Sequence, residues 1–161
     1  MADSRTVPLA TTRHVRDACL CLHTQRAARA LARRFNEALR PAGLTNEQFS
    51  LLMALNRPIP ASMQEVAALL GADRTTLTAA LNPLMRRGLA RARHDSRDRR
   101  VRRIALTAKG HARLAAAMPI WTETHGALEA ELGQTHSTRL RRDLNALAAP
   151  PARRRGTNHL R

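Results

Sequence analysis

Tyrosine is absent from the 161 residues, and Phe35, Phe49 and Trp121 make up the whole aromatic set. With so few aromatics the core rests on Leu, Ala, Val, Ile and Met, a mixture that favours helix over sheet. Acidic residues are also scarce: 12 Asp and Glu stand against 28 Lys and Arg, a formal net charge of +16. That imbalance argues against a neutral enzyme and points to a polyanionic partner, nucleic acid before an anionic membrane. All but one of the basic residues are arginine, the exception being Lys109. Together with the abundant alanine this fits a GC-rich coding sequence, so charge alone does not fix the partner. No stretch approaches the roughly 18 to 20 apolar residues of a membrane span. The first residues, Met1 to Arg16, lack the apolar centre of a signal peptide, and a soluble, cytoplasmic protein with no membrane partner is expected. Cysteine is limited to Cys19 and Cys21, too close together for a long-loop disulfide and not spaced as a zinc ribbon, so both read as reduced thiols. The chain shows no phosphate-cradling glycine loop, no Ser/His/Asp motif and no paired catalytic carboxylates. No enzyme activity, cofactor or metal is expected.

What is present is helical periodicity with clear punctuation. Leu20, Ala27, Leu31, Phe35 and Leu39 recur at helical spacing, with Arg26, Arg29, Arg33, Arg34 and Arg40 on the other faces, until Pro41 and Gly43 end the run. Thr45 opens a second helix with Glu47 and Gln48 in its first turn and carries Phe49, Leu51, Leu52 and Leu55 inward. Ser62 with Glu65 caps a short helix ending at Gly71, and Asp73 caps the next, whose apolar stripe is Leu77, Leu81 and Leu84 up to Gly88. Two short helices joined by a glycine-containing turn form a helix-turn-helix pattern. From Leu89 to Arg93 and Val101 to Leu106 the period changes to that of strands, giving a β-hairpin with a basic tip between them. Thr107 then starts a long helix with a seam of Leu114, Met118, Trp121, His125, Leu128 and Leu132, interrupted by Pro119, before a last helix with Leu140, Leu144 and Leu147. Five segments follow: a flexible stretch 1–16, a dimerisation helix 17–43, a winged helix-turn-helix 44–106, C-terminal dimerisation helices 107–149 and a basic, disordered tail 150–161. The expected fold is mainly α, with a short β-hairpin wing.

In this order of elements the sequence resembles the MarR family of bacterial transcription regulators. The likeness is carried by Leu44-Thr45-Asn46-Glu47-Gln48-Phe49, by Asp73-Arg74-Thr75-Thr76-Leu77-Thr78, by Arg87-Gly88-Leu89, by Asp95-Ser96-Arg97-Asp98-Arg99-Arg100 at the wing, and by Leu106-Thr107-Ala108-Lys109-Gly110 after it. The resemblance implies a homodimer that binds a pseudo-palindromic operator in double-stranded DNA, acts as a repressor and is relieved by a small-molecule effector. From periodicity alone, Thr75, Thr78, Ala79, Asn82 and Arg86 point away from the Leu77, Leu81 and Leu84 stripe, and short polar side chains there can approach base edges. Arg74 and Thr76 join them as expected DNA contacts. Pro83 removes one backbone hydrogen bond and disfavours helical geometry at Asn82. At the wing, Arg97 is expected to enter the minor groove with Asp95 orienting it, while Arg99 and Arg100 take phosphates.

Other residues invite further readings. Positions His23, Arg26, Met53, His111 and Met118 are candidates for an effector pocket between the dimerisation helices and the winged domain, a location implied by the resemblance. Cys19 and His23, four apart, share a helix face, but two ligands make no metal site. His125 in the apolar seam reads as an interfacial histidine that fixes register. Two alternatives stand beside ligand-relieved repression. One is a thiol-based redox-sensing repressor acting through Cys19 or Cys21, as in a hydroperoxide-sensing branch of the family, although that branch surrounds its sulfur with tyrosines. The other is an architectural protein that coats DNA without sequence preference.

Overall fold

The computed structural model describes residues 6–95, 98 and 100–149. Two units are distinguished along it, Met1–Trp121 and Thr122–Arg161. Helix α1, Leu9–Ala18, occupies the second half of the segment 1–16 expected to be flexible and runs two residues beyond it. It buries none of its residues in the protomer, and Leu9 and Val15, its two large apolar residues, are too few to mark a stripe in the sequence. The chain turns extended at Cys19 (φ −74°, ψ 104°), and α2 follows over Leu20–Leu39, burying only Phe35 and Leu39 near its end. A 3-10 turn, Arg40–Ala42, closes on Gly43 at φ 64°, a left-handed geometry that glycine adopts without a steric penalty.

The next three helices are set by their caps. The Thr45 hydroxyl accepts from the Gln48 amide and the Gln48 side chain accepts from the Thr45 amide, a capping box that starts α3, Asn46–Leu55. Ser62 and Glu65 repeat the device for α4, Met63–Leu70. Asp73 caps α5, Arg74–Arg86, which runs through Pro83 without a break. Leu77, Leu81 and Leu84 lie buried on both sides of that proline, so packing holds a helix that local propensity disfavours.

The wing strands are β2, Ala90–His94, and β3, Arg102–Leu106. A third strand unseen in the sequence, β1 at Ala61–Ser62, pairs with β3 to give the antiparallel order β1-β3-β2. The core around them gathers Leu39, Leu51, Leu52, Val66, Leu89 and Ile104. Helix α6, Ala108–Leu132, begins against this core, where Gly110 is obligatory because a Cβ there would overlap the Leu89 carbonyl. In the second unit α7, Gln134–Ala148, buries only Ser137 and leaves Leu140, Leu144 and Leu147 exposed. The basic tail 150–161 lies outside the described residues. No helix among the described residues is long and apolar enough to cross a membrane.

Candidate nucleic-acid interface

Helix α5 exposes Thr75, Thr78, Ala79, Asn82 and Arg86, the outward residues expected from its period, and Arg74 beside them. Its start is rigid. Asp73 accepts from the Thr76 amide at 2.8 Å and from the Thr76 hydroxyl at 2.7 Å. Thr76 is therefore exposed but committed to the cap rather than free for a base. The Thr78 hydroxyl donates to the Arg74 carbonyl at 2.7 Å. With its proton spent, Thr78 keeps lone pairs and a methyl group for the major groove, where it can accept from adenine or cytosine amino groups or touch a thymine methyl.

Between α5 and the sheet lies a cleft of about 90 Å³ lined by Arg74, Thr78, Asn82 and Met85 on one side and Ala92, Arg102 and Ile104 on the other. Arg102 escaped the sequence reading, although alternation along β3 marks it: Ile104 and Leu106 share its face and are buried. It places a guanidinium beside the exposed Thr78 and Asn82 of α5.

At the wing, Asp95 accepts from Arg103 Nε at 2.7 Å, a partner eight residues away that the sequence did not reveal. Arg103 Nη1 also reaches the Pro60 carbonyl at 3.4 Å and Glu65 Oε2 at 3.3 Å, and that same carboxylate oxygen accepts from the Ser62 amide at 2.6 Å. One guanidinium thus ties the base of the wing to the first helix of the helix-turn-helix. Asp98 accepts from the Arg100 amide at 2.9 Å, and its own amide donates to Asp95 at 3.2 Å, which tightens the turn. Arg100 is exposed. Arg97 and Arg99, with the expected orientation of Arg97 by Asp95, lie outside the described residues.

The module is also fastened to the end of α2. Arg87 Nη2 donates to the Gly43 carbonyl at 2.7 Å and Nη1 to Gln48 at 3.1 Å, while Arg113 donates to the Ala42 carbonyl at 2.9 Å and Lys109 to the Arg87 carbonyl at 3.0 Å. These basic residues, though partly or fully exposed, each tie down a backbone carbonyl between the helices.

The hydrogen bonds from Thr76 hold the Asp73 carboxyl below its ordinary 3.8, and those from Ser62, followed by the nearby charges of Arg103 and Arg57, hold Glu65 below its ordinary 4.5. Because both are depressed in the fold, their contribution is present above the unfolded values and is lost as pH falls through the folded ones. The melting temperature should therefore drop on acidification between about pH 5 and pH 3. Asp73→Asn with Glu65→Gln, which retain capping ability without the charge, should flatten that acid limb; an unchanged limb in thermal melts would show that these carboxylates do not carry it.

Of the effector-pocket candidates, Met53 and Met118 do line one cavity. It measures about 490 Å³ and is formed with Phe49, Ser50, Leu69, Leu70 and Trp121. The Phe49 and Trp121 rings stack with centroids 6.1 Å apart. His23, Arg26 and His111 are exposed and do not line it. The ring of His23 instead contacts the Asp17 carbonyl at 3.1 Å. Cys19 is half-buried and caps α2, its Sγ accepting from the Leu22 amide at 3.4 Å, and Cys21 is exposed with Gln25 donating to its sulfur at 3.3 Å. No group of three or more potential metal ligands occurs among the described residues.

A two-helix reader with a three-stranded wing, framed by helices with exposed apolar faces, defines a winged helix-turn-helix protein. A family profile described as the MarR family matches residues 42–101. The sequence is 33% identical over 102 residues to the transcriptional repressor MprA of Escherichia coli K12, an alignment spanning 62% of this chain and 56% of that protein. Among solved structures, the M. tuberculosis transcriptional regulator MosR in complex with DNA is 43% identical, covering 81% of this chain and 93% of that one at a TM-score of 0.74. The repressor CouR bound to a 23-mer DNA duplex is 30% identical, covering 84% of this chain and 96% of that one at a TM-score of 0.75. CouR of Rhodococcus jostii RHA1 has also been crystallised with p-coumaroyl-CoA, and in that structure it matches at 25% identity, 84% and 96% coverage and a TM-score of 0.72. The chain belongs to the MarR family.

Proposed function

We propose that the protein is a cytoplasmic homodimer that binds a pseudo-palindromic operator in double-stranded DNA, represses transcription and is released by a small-molecule ligand. The observation that carries this reading is the continuous exposed face formed by Thr75, Thr78 and Asn82 of α5 beside Arg74 and Arg102. It combines groups suited to base edges with groups suited to phosphates. Exposed Leu140, Leu144 and Leu147 on α7 supply an apolar stripe for a partner copy. DNA complexes of MosR and CouR support the same use of the fold.

The cavity of Phe49, Met53, Met118 and Trp121 is the proposed effector site, and its stacked rings and thioethers suit a flat, mostly apolar ligand. An aromatic acyl group, such as the p-coumaroyl part of the p-coumaroyl-CoA found with CouR, is the first to test. Trp121, the single tryptophan, would report its arrival by fluorescence.

The test of DNA reading is competition between a duplex from the protein's own promoter region and bulk genomic DNA. A regulator should hold a preference of roughly 10³-fold or more, with log K falling by about 0.9 per neutralised phosphate for each unit of log[salt]. Equal binding to both would establish the architectural coat instead. Peroxide treatment separates the thiol alternative: release of DNA by oxidation, abolished in Cys19→Ser, would transfer the regulatory role from the cavity to the cysteines.

A further inference from the structure

The wing sheet has two faces, and the second carries charge that the operator-reading face does not use. Side chains alternate along its strands, so Ala90, Ala92, Ile104 and Leu106 turn with Arg102 toward α5 and the core, while Arg91, Arg93, Arg103 and Ala105 turn the other way. The pairing register places Arg91 opposite Ala105 and Arg93 opposite Arg103. With Ile59 and Pro60 from the preceding loop, and with His94 and Asp95 at the end of β2, this outer face forms a cleft of about 540 Å³, in which the Asp95 carboxylate is paired with Arg103.

The three arginines are not equivalent. Arg103 is neutralised by Asp95 and Glu65. Arg91 and Arg93 have exposed side chains and no hydrogen-bond or ion-pair partner among the described residues. They stand two residues apart on one strand, about 6.6 Å, and offer a short row of regularly spaced positive charge. The complement of such a row is a backbone with regularly spaced negative charge. Both arginines belong to β2, the strand that leads into the wing tip, so the row continues directly from the proposed DNA-contacting element.

We propose that the outer face of the wing sheet, centred on Arg91 and Arg93, is a second phosphate-binding surface that holds the duplex outside each half-site and draws it into a bend around the wing. The proposal rests on the operator-binding reading above. Arg91 and Arg93 face away from α5, so a straight duplex seated on the recognition helix passes them by. Only DNA that curves toward the sheet reaches them. The contact therefore discriminates among flanks by deformability rather than by base contacts, favouring flexible pyrimidine-purine steps.

The experiment compares the full-length protein with the double variant R91A/R93A on two duplexes: the operator ending at the wing contacts, and the same operator extended by about one helical turn, 10 base pairs, on each side. Wild type should bind the extended duplex more tightly and with a steeper salt dependence, by about 0.9 for each added phosphate contact. A TA or CA step in the extension should increase the gain. R91A/R93A should match wild type on the short duplex and gain nothing from the extension. The proposal is overturned if wild type gains nothing, if the variant gains as much as wild type, or if the variant loses affinity equally on both duplexes, which would place these arginines in the direct wing contact. It is likewise overturned if polyglutamate, and not the extension, competes in a manner that R91A/R93A abolishes, since the face would then suit an acidic protein partner. Wild type that binds even the short operator no better than random DNA would instead remove the operator-binding reading itself.

Discussion

Leu144→Glu should convert the protein from dimer to monomer and reduce operator binding to the non-specific level. In α7 the leucines at 140, 144 and 147 follow helical spacing and remain 45%, 40% and 61% exposed in the single chain. Burying one leucine stabilises by about 1.5 to 3 kcal/mol, and a two-fold interface counts each contribution twice. A glutamate at the centre of that stripe removes the apolar term and adds an unpaired charge whose burial costs several kcal/mol. Because Leu144 is exposed in the protomer, the variant should keep its helical circular dichroism. Leu128 is half-buried within its own chain, so a glutamate there would confound dissociation with unfolding. Sedimentation equilibrium at micromolar concentration should give twice the 17.8 kDa chain mass for wild type and the single mass for Leu144→Glu. With one reading head per molecule, the second half-site is no longer engaged at high effective concentration, and specificity collapses. A Leu144→Glu protein that stays dimeric and operator-specific would remove α7 from the interface.

The fold was readable wherever the determinant was local. Thr45 with Gln48, Ser62 with Glu65 and Asp73 with Thr76 lie three residues apart, and each marked a helix start that the structure retains. Gly43, Gly71 and Gly88 take the positive φ that a helix terminator needs. Two elements escaped for opposite reasons. Strand β1 is two residues long and runs directly into the cap of α4, too short for any alternation to register. Helix α1 carries only Leu9 and Val15 as large apolar residues, six positions apart, too few to mark a stripe in the sequence. Pro83 shows the limit of propensity: the lost backbone bond costs stability locally, yet the buried leucines on either side keep α5 continuous.

The candidate site divides along the same line. Which residues of α5 face outward followed from a 3.6-residue period. What holds them in place did not, because the ties join distant positions: Arg103 to Glu65 across 38 residues, Arg87 to Gln48 across 39 and Arg113 to Ala42 across 71. No spacing rule reaches that far. The effector residues split for a related reason. All five were named by position along the chain; the apolar Met53 and Met118 meet in one cavity, whereas the polar His23, Arg26 and His111 lie exposed and do not line it.

Reading and anchoring should come apart by mutation. Asn82 can make a bidentate hydrogen bond to adenine, and Thr78, its proton already given to the Arg74 carbonyl, can act only as an acceptor or through its methyl. Asn82→Ala or Thr78→Ala should therefore cost roughly 1 to 3 kcal/mol at the cognate site and relax base preference there, with non-specific binding nearly unchanged. Thr78→Val keeps the methyl and removes the acceptor. It should retain a thymine contact but lose any preference that depends on an amino group, which separates the two modes of Thr78. Arg97→Ala should act differently, weakening binding most where A·T-rich flanks narrow the minor groove, and leaving the core preference intact. Arg103→Ala releases Asp95 and Glu65 together and should reproduce the flank defect in milder form, because the wing remains but its base is loosened. The measurement is a binding selection over randomised operators with each variant. If Arg97→Ala rewrites the core preference while Asn82→Ala and Thr78→Ala leave it untouched, the roles of helix and wing are reversed, and the turn of α5 around Pro83 is the element whose docking would have to be redrawn.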